Sequence, residues 1–144
     1  MWEFQHSHEC GVGREFAWRF WTEVGNWAAV DPSVERAELD GPFAAGAKGT
    51  TKPRGAGPVS WRVTEAEAPS RAVIEVPAPG ASLKFIWSFE DAGGGRTLIT
   101  QRIVFEGERA AEYAGAMGEE LRAGAPAGMR SLCAAMSARA ASLS

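Results

Sequence analysis

The chain's two histidines stand two residues apart in the stretch Trp2-Glu3-Phe4-Gln5-His6-Ser7-His8-Glu9. Imidazole titrates near neutrality, so His6 and His8 on one side of a strand can donate hydrogen bonds, shuttle a proton or offer two ligands to a metal ion. No third metal ligand follows at a neighbouring spacing, and Cys10 and Cys133 form neither a CxxC pair nor a Cys/His ladder, so no metal is implied. The plainer role is structural, with one histidine satisfied in the core and the other half-exposed near the strand end. Arg102 shares its parity with Leu98, Thr100 and Val104. A buried guanidinium there would need a carboxylate or phenolate partner, although arginine more often lies on a solvated face. Tyr113 can orient a ligand carbonyl from a cavity mouth or merely snorkel. Arg62, Glu65 and Glu75 complete the polar candidates on core-forming elements.

Trp61, Phe85, Trp87 and Phe89, with Met117, Leu121 and Met129, have the composition of an apolar pocket wall. Filling a core is the commoner use of such residues. The methionines favour an adaptable surface, because an unbranched thioether repacks around different shapes. Other apparent motifs carry no chemistry. Gly11-Val12-Gly13 lacks the third glycine of a dinucleotide fingerprint, Gly93-Gly94-Gly95 belongs to a hairpin, and there is no GxSxG elbow. Neither cysteine has an activating base nearby in sequence; buried free thiols are expected in preference to a disulfide.

The elements that must hold these groups follow from periodicity. Residues 2–9 alternate, with Trp2, Phe4, His6 and His8 on one side, which is the period of a half-buried strand. Phe16, Phe20 and Val24, with Trp18 and Trp21 beside them, predict an amphipathic helix ending near Gly25. A short helical turn through Trp27 stops before Asp31-Pro32, since the residue ahead of a proline is pushed out of the α region. From Val34 to Phe105 strands alternate with turn clusters such as Asp40-Gly41-Pro42, Pro53 to Pro58 and Asp91 to Gly95. The count is about seven strands joined by hairpins, hence antiparallel. Tyr113, Met117, Leu121, Ala125, Met129, Leu132 and Met136 then draw a stripe along a helix over residues 108–141. Such a helix is about 50 Å long, and a kink is expected at Pro126.

Composition bounds the partners. At 144 residues with no linker or repeat, the chain reads as one domain, 1–144. A net charge of −3 without a basic stripe argues against nucleic acid. No stretch approaches the roughly 20 apolar residues of a membrane span, and Trp2-Glu3-Phe4-Gln5 does not begin a signal segment. A cytoplasmic protein without stable membrane insertion, monomeric or homodimeric, is expected. Seventeen glycines and eight prolines favour turns over a helical bundle.

A strand, two short helices, six further strands and a long terminal helix form an α+β order in which one helix covers one face of the sheet. On that order several segments resemble the START-like (SRPBCC) superfamily, also described as the polyketide cyclase/dehydrase and lipid-transport group. They are Phe16-Ala17-Trp18-Arg19-Phe20-Trp21 through Val24 to Asn26-Trp27, Asp31-Pro32-Ser33-Val34, Glu38-Leu39-Asp40-Gly41-Pro42-Phe43 and Gly46-Ala47-Lys48-Gly49. Gly95-Arg96-Thr97-Leu98-Ile99-Thr100 and Phe105-Glu106-Gly107 are similar to that family's run into its terminal helix. The resemblance spans nearly the whole chain and rests on fold patterns rather than catalytic signatures.

It implies a helix-grip fold: a seven-stranded curved antiparallel sheet wrapped around the long C-terminal helix, with two short helices after the first strand. It implies binding of a hydrophobic or aromatic small molecule, lipid or polyketide-like, between sheet and helix, without a cofactor. Access would run past the Pro53 to Pro58 and Pro77 to Gly80 loops and the start of the terminal helix. The alternative enzyme is a cyclase, dehydratase or hydrolase-like catalyst without a covalent nucleophile, acting through His6, His8, Arg102 or Tyr113. A third reading is a partner-binding module with a vestigial cavity and exposed Trp18, Trp21 or Trp27.

Overall fold

Strict alternation of apolar and polar residues gives β1 (Trp2–Cys10) one dry and one wet side in the computed structural model, which describes residues 1–143. Helix α1 (Arg14–Thr22) buries Ala17, Trp18, Phe20 and Trp21, and a 3-10 turn (Val24–Asn26) leads into the single turn α2 (Trp27–Val30). Asn26 Nδ2 donates to Phe20 O at 2.9 Å, and Trp27 Nε1 donates to Trp21 O at 2.8 Å, so this turn satisfies carbonyls freed at the end of α1.

Strands β2 (Val34–Asp40), β3 (Lys48–Pro53), β4 (Val59–Glu67), β5 (Arg71–Ala78), β6 (Ala81–Gly93) and β7 (Arg96–Glu106) precede helix α3 (Ala110–Ser142). Each strand from β2 to β7 pairs antiparallel with the next, and β7 also pairs with β1, giving the order β1-β7-β6-β5-β4-β3-β2. This is the helix-grip α+β arrangement. Strand β6 runs on to Gly93, into the turn cluster expected from Asp91, and the reversal falls on Gly93, Gly94 and Gly95, which all take positive φ.

Register sorts the side chains into rows on the inner face. Phe4, Ile103, Phe85, Ile74 and Val63 form one row, His6, Gln101, Trp87 and Ala72 the next, and His8, Ile99 and Phe89 a third. On the outer face the charges pair: Glu3 with Arg102, Glu9 with Arg96, Glu75 with Arg62, Glu65 with Arg71 at 3.0 Å and Glu106 with Lys84 at 3.1 Å. These pairs are solvent-exposed in part and favour the register more than they add stability.

Helix α3 lies along β1 and β7, burying Gly118, Met129, Leu132, Cys133 and Met136. It is a single helix through Pro126, with no break at the expected kink; that proline cannot donate to the Arg122 carbonyl. The cysteines depart from expectation: Cys10 and Cys133 form a disulfide, with Cα atoms 5.1 Å apart across 123 residues. Cys10 closes the inner side of β1 and Cys133 sits in the buried stripe of α3, so alignment of strand and helix brings the sulfurs together. Breaking this link is expected to cost about 2–4 kcal/mol, read as a lower Tm when unfolding is followed with reductant present.

Gly49 gives a second test. A Cβ at this position would stand 2.3 Å from the Trp61 ring, which is buried, stacked on Trp27 at 5.1 Å and held by a 2.9 Å hydrogen bond from its Nε1 to Thr51 Oγ1. The ring has no free direction to move, so Gly49→Ala should destabilise by about 3 kcal/mol in denaturant titration.

Candidate ligand-binding site

Two covers rest on the inner face, touching each other where Arg139 of α3 lies over the Phe20 ring, and leave a strip of β5 and β6 only partly covered. Helix α3 covers β1 and β7. The α1–α2 segment covers the opposite side through rings: Trp18 on Phe89 at 5.4 Å, Trp21 on Trp87 at 4.8 Å, Trp21 on Phe43 at 5.1 Å and Trp27 on Trp61. Leu83, Phe85 and Trp87 on β6 and Val76 on β5 lie on the inner face yet are only half-buried, as are Leu121 and Ala125 on α3. Large apolar groups in contact with solvent on the inside of a sheet are what a partly open apolar cleft presents. Two surface depressions lie elsewhere, one lined by Glu38, Asp40 and Lys48 and the other by Glu15, Arg19 and Pro69.

One end of the strip is closed by the start of α3. Tyr113 stacks on Phe105 at 6.5 Å and donates from its hydroxyl to Pro79 O at 3.0 Å, while Arg109 N donates to Gly80 O at 2.9 Å. Gly80 has φ +74°, and a Cβ there would meet the Arg109 side chain at 2.7 Å, so only glycine lets this turn approach the helix. Hydrogen bonding to the Glu112 carboxylate and that carboxylate's charge hold the exposed Arg109 guanidinium above its ordinary pKa.

The structure distributes the residues singled out by sequence unevenly. His6 and His8 are both half-buried on the inner face, and Phe85, Trp87, Leu121 and Tyr113 border the strip. Trp61, Phe89 and Met129 are deep in the core. Arg102 stands on the outer face, paired with Glu3, and cannot reach a ligand inside the sheet. Arg62 is likewise outside with Glu75, and Glu65 with Arg71. Met117 is 37% exposed; its neighbour Gly118 is the buried residue, where a Cβ would stand 3.2 Å from the Trp2 ring.

Two polar groups escaped the sequence reading. Gln101 occupies the inner parity of β7 between Ile99 and Ile103 and is 9% exposed; its Oε1 accepts from His6 Nε2 at 2.7 Å. Arg122 on α3 lies over the rings of Trp2 and Phe4, at 5.3 and 5.2 Å. The available signal for Gln101 was its place as the one amide among Thr97, Ile99, Ile103 and Phe105. No group of three or more His, Cys, Asp or Glu suited to a metal occurs among the described residues.

A long terminal helix gripped by a seven-stranded sheet, with an apolar strip left open beneath it, defines the helix-grip class. Within it, the family described as polyketide cyclase/dehydrase and lipid transport matches residues 1–141, and the chain belongs to that family. No curated protein matches the sequence. Among solved structures, the chain is similar to norcoclaurine synthase from Thalictrum flavum in complex with dopamine and hydroxybenzaldehyde, with TM-score 0.73 and 11% identity over 96% of this chain and 87% of that one. It is similar to Ara h 8.0201, with TM-score 0.77 and 11% identity over 95% and 98% of the two chains. A third is the di-domain ARO/CYC BexL from the BE-7585A biosynthetic pathway, with TM-score 0.73 and 13% identity, covering 92% of this chain and 45% of that one.

The orientation of α3 is open to direct test. Met129→Ala, in the buried stripe, should cost about 2–5 kcal/mol, whereas Met117→Gln on the exposed flank should stay within about 0.5 kcal/mol. Paired denaturant titrations would show the contrast.

Proposed function

We propose that the chain binds an apolar, ring-bearing small molecule reversibly in the strip between α3 and the α1–α2 segment. The observation that carries this reading is the half-burial of Leu83, Phe85 and Trp87 on the inner face, where Phe89, Ile99 and Ile103 beside them are sealed. Exposed apolar surface with rings to stack against favours a flat hydrophobic partner, with hydrophobic burial as the driving force. Membership of a family described by polyketide cyclisation and lipid transport, and the aromatic ligands of the similar synthase, support the same class.

A second reading, a cyclase or dehydratase-type enzyme on the same strip, is favoured by the two inner-face imidazoles. His6 donates from Nε2 to Gln101, which leaves Nδ1 as an acceptor for a proton, and His8 has no hydrogen-bond partner among the described residues. The partner-binding module loses its expected feature, since Trp18 and Trp21 are buried and Trp27 is half-buried. Compartment follows the cysteines: cytosolic thiol pools keep such pairs reduced in most mesophiles, so cytoplasmic residence goes with the dithiol form and an oxidising compartment with the disulfide.

Native mass spectrometry of the protein as purified from cells, followed by denaturing extraction, tests the binding reading. A stoichiometric apolar or aromatic passenger is expected. Phe85→Ala should weaken binding of a naphthalene probe about tenfold, roughly the apolar contact of one ring face. An empty protein whose tryptophan fluorescence is unchanged by a panel of lipids and aromatics overturns it.

A further inference from the structure

Gln101 is a polar side chain placed where the sheet is otherwise apolar. Ile99 and Ile103, both fully buried, flank it along β7, and Trp87 stands opposite on β6. Only half of its amide is used. The carbonyl Oε1 accepts from His6 Nε2, while the Nε2 amide group makes no hydrogen bond to any described residue. Nor is that group sealed away, because no buried side-chain nitrogen or oxygen among the described residues lacks a partner. The Nε2 group therefore keeps some contact with solvent, on the inner face across from the half-buried Trp87.

A donor on a side chain only 9% exposed, with no protein partner, is served by solvent alone, and a ligand that excludes the solvent must bring an acceptor to replace it. We infer that Gln101, fixed in orientation by His6, is the anchor for an oxygen atom of the bound molecule. The ligand class narrows accordingly, to a flat aromatic or conjugated compound carrying a carbonyl or hydroxyl oxygen at its ring edge. An unsubstituted hydrocarbon or an aliphatic chain in this place would bury the amide without a partner, and sites built around such a donor discriminate against analogues that lack the acceptor. His6 acts here as a positioning residue. Its ring stacks on Phe4 at 5.5 Å and donates to the amide oxygen, which holds the amide in one orientation. His8, also unpartnered, stands one inner position along β1 and offers a second polar contact to the same end of the ligand.

The inference rests on the proposed binding function, and the test separates the two. Tryptophan fluorescence would be titrated with acetylnaphthalene and with ethylnaphthalene of the same substitution position, which match in shape and differ by one carbonyl oxygen. Wild type is expected to bind the ketone at least about tenfold more tightly, the scale of one hydrogen bond to a buried group. In Gln101→Leu, and in the closer isostere Gln101→Met should leucine disturb the fold, that ratio should fall to about one while ethylnaphthalene binding remains saturable. His6→Phe, which keeps the stacking on Phe4 but removes the fixing hydrogen bond, should reduce the ratio without abolishing it. Equal affinity for the two probes in wild type, or an undiminished ratio in both Gln101 variants, overturns the inference and leaves the binding function standing. Failure of both probes to saturate wild type overturns both.

Discussion

The alignment of α3 with β1 is the constraint on which the rest of the structure depends. Trp2 lies against Gly118 near one end, Arg122 covers Phe4 in between, and Cys10 joins Cys133 at the other end. Strand and helix therefore advance together. Eight strand steps cover about 26 Å and fifteen helical steps about 22 Å, so the two run side by side with little crossing. A helix committed to β1 and β7 in this way cannot also lie on β5 and β6. The open strip beneath α3 is thus a consequence of where the helix is tied, rather than of poor packing.

The opposite cover depends on aromatic stacking made possible by one missing side chain. Trp61 can lie flat over β3 only because position 49 is glycine, and Trp27 then stacks on Trp61 while Trp21 reaches Trp87 and Phe43. Contacts among five tryptophans and two phenylalanines pin a helix and a single helical turn to the sheet, with little help from capping; neither α1 nor α2 has a side-chain N-cap hydrogen bond. The two covers are held by different means, a covalent link with small-residue packing on one side and ring contacts on the other.

Much of this was legible in the sequence, and the failures have physical causes. Alternation placed His6 and His8 with Phe4 on one face of β1 correctly, because both periods are local. It could not say which face of β7 is inner, since that is set by pairing with β1 nearly a hundred residues away; Arg102 and Gln101 are neighbours with opposite fates. The α3 stripe holds except at Met117, and the exception has a geometric reason. A step of four residues overshoots a full turn by about 40°, so a run of fours beginning at Tyr113 starts well off the face it reaches by Met129. Met117 falls on the exposed flank, and the buried place beside it belongs to Gly118, whose lack of a side chain gave no hydrophobic signal. The cysteine pairing was equally hidden, because it depends on the strand–helix alignment and not on spacing.

Charge placement then limits what chemistry the inner face can do. Five carboxylates of β1, β4, β5 and β7 (Glu3, Glu9, Glu65, Glu75 and Glu106) lie outside, each engaged by an arginine or lysine, and the inner rows hold no acid on β4 to β7 short of Asp91 at the end of β6. Proton transfer in the cleft would fall to His6 and His8, the imidazoles of the inner face. The amide beside them is neutral. The inner face thus presents apolar surface with a few polar groups, while the paired charges stay on the other side of the sheet.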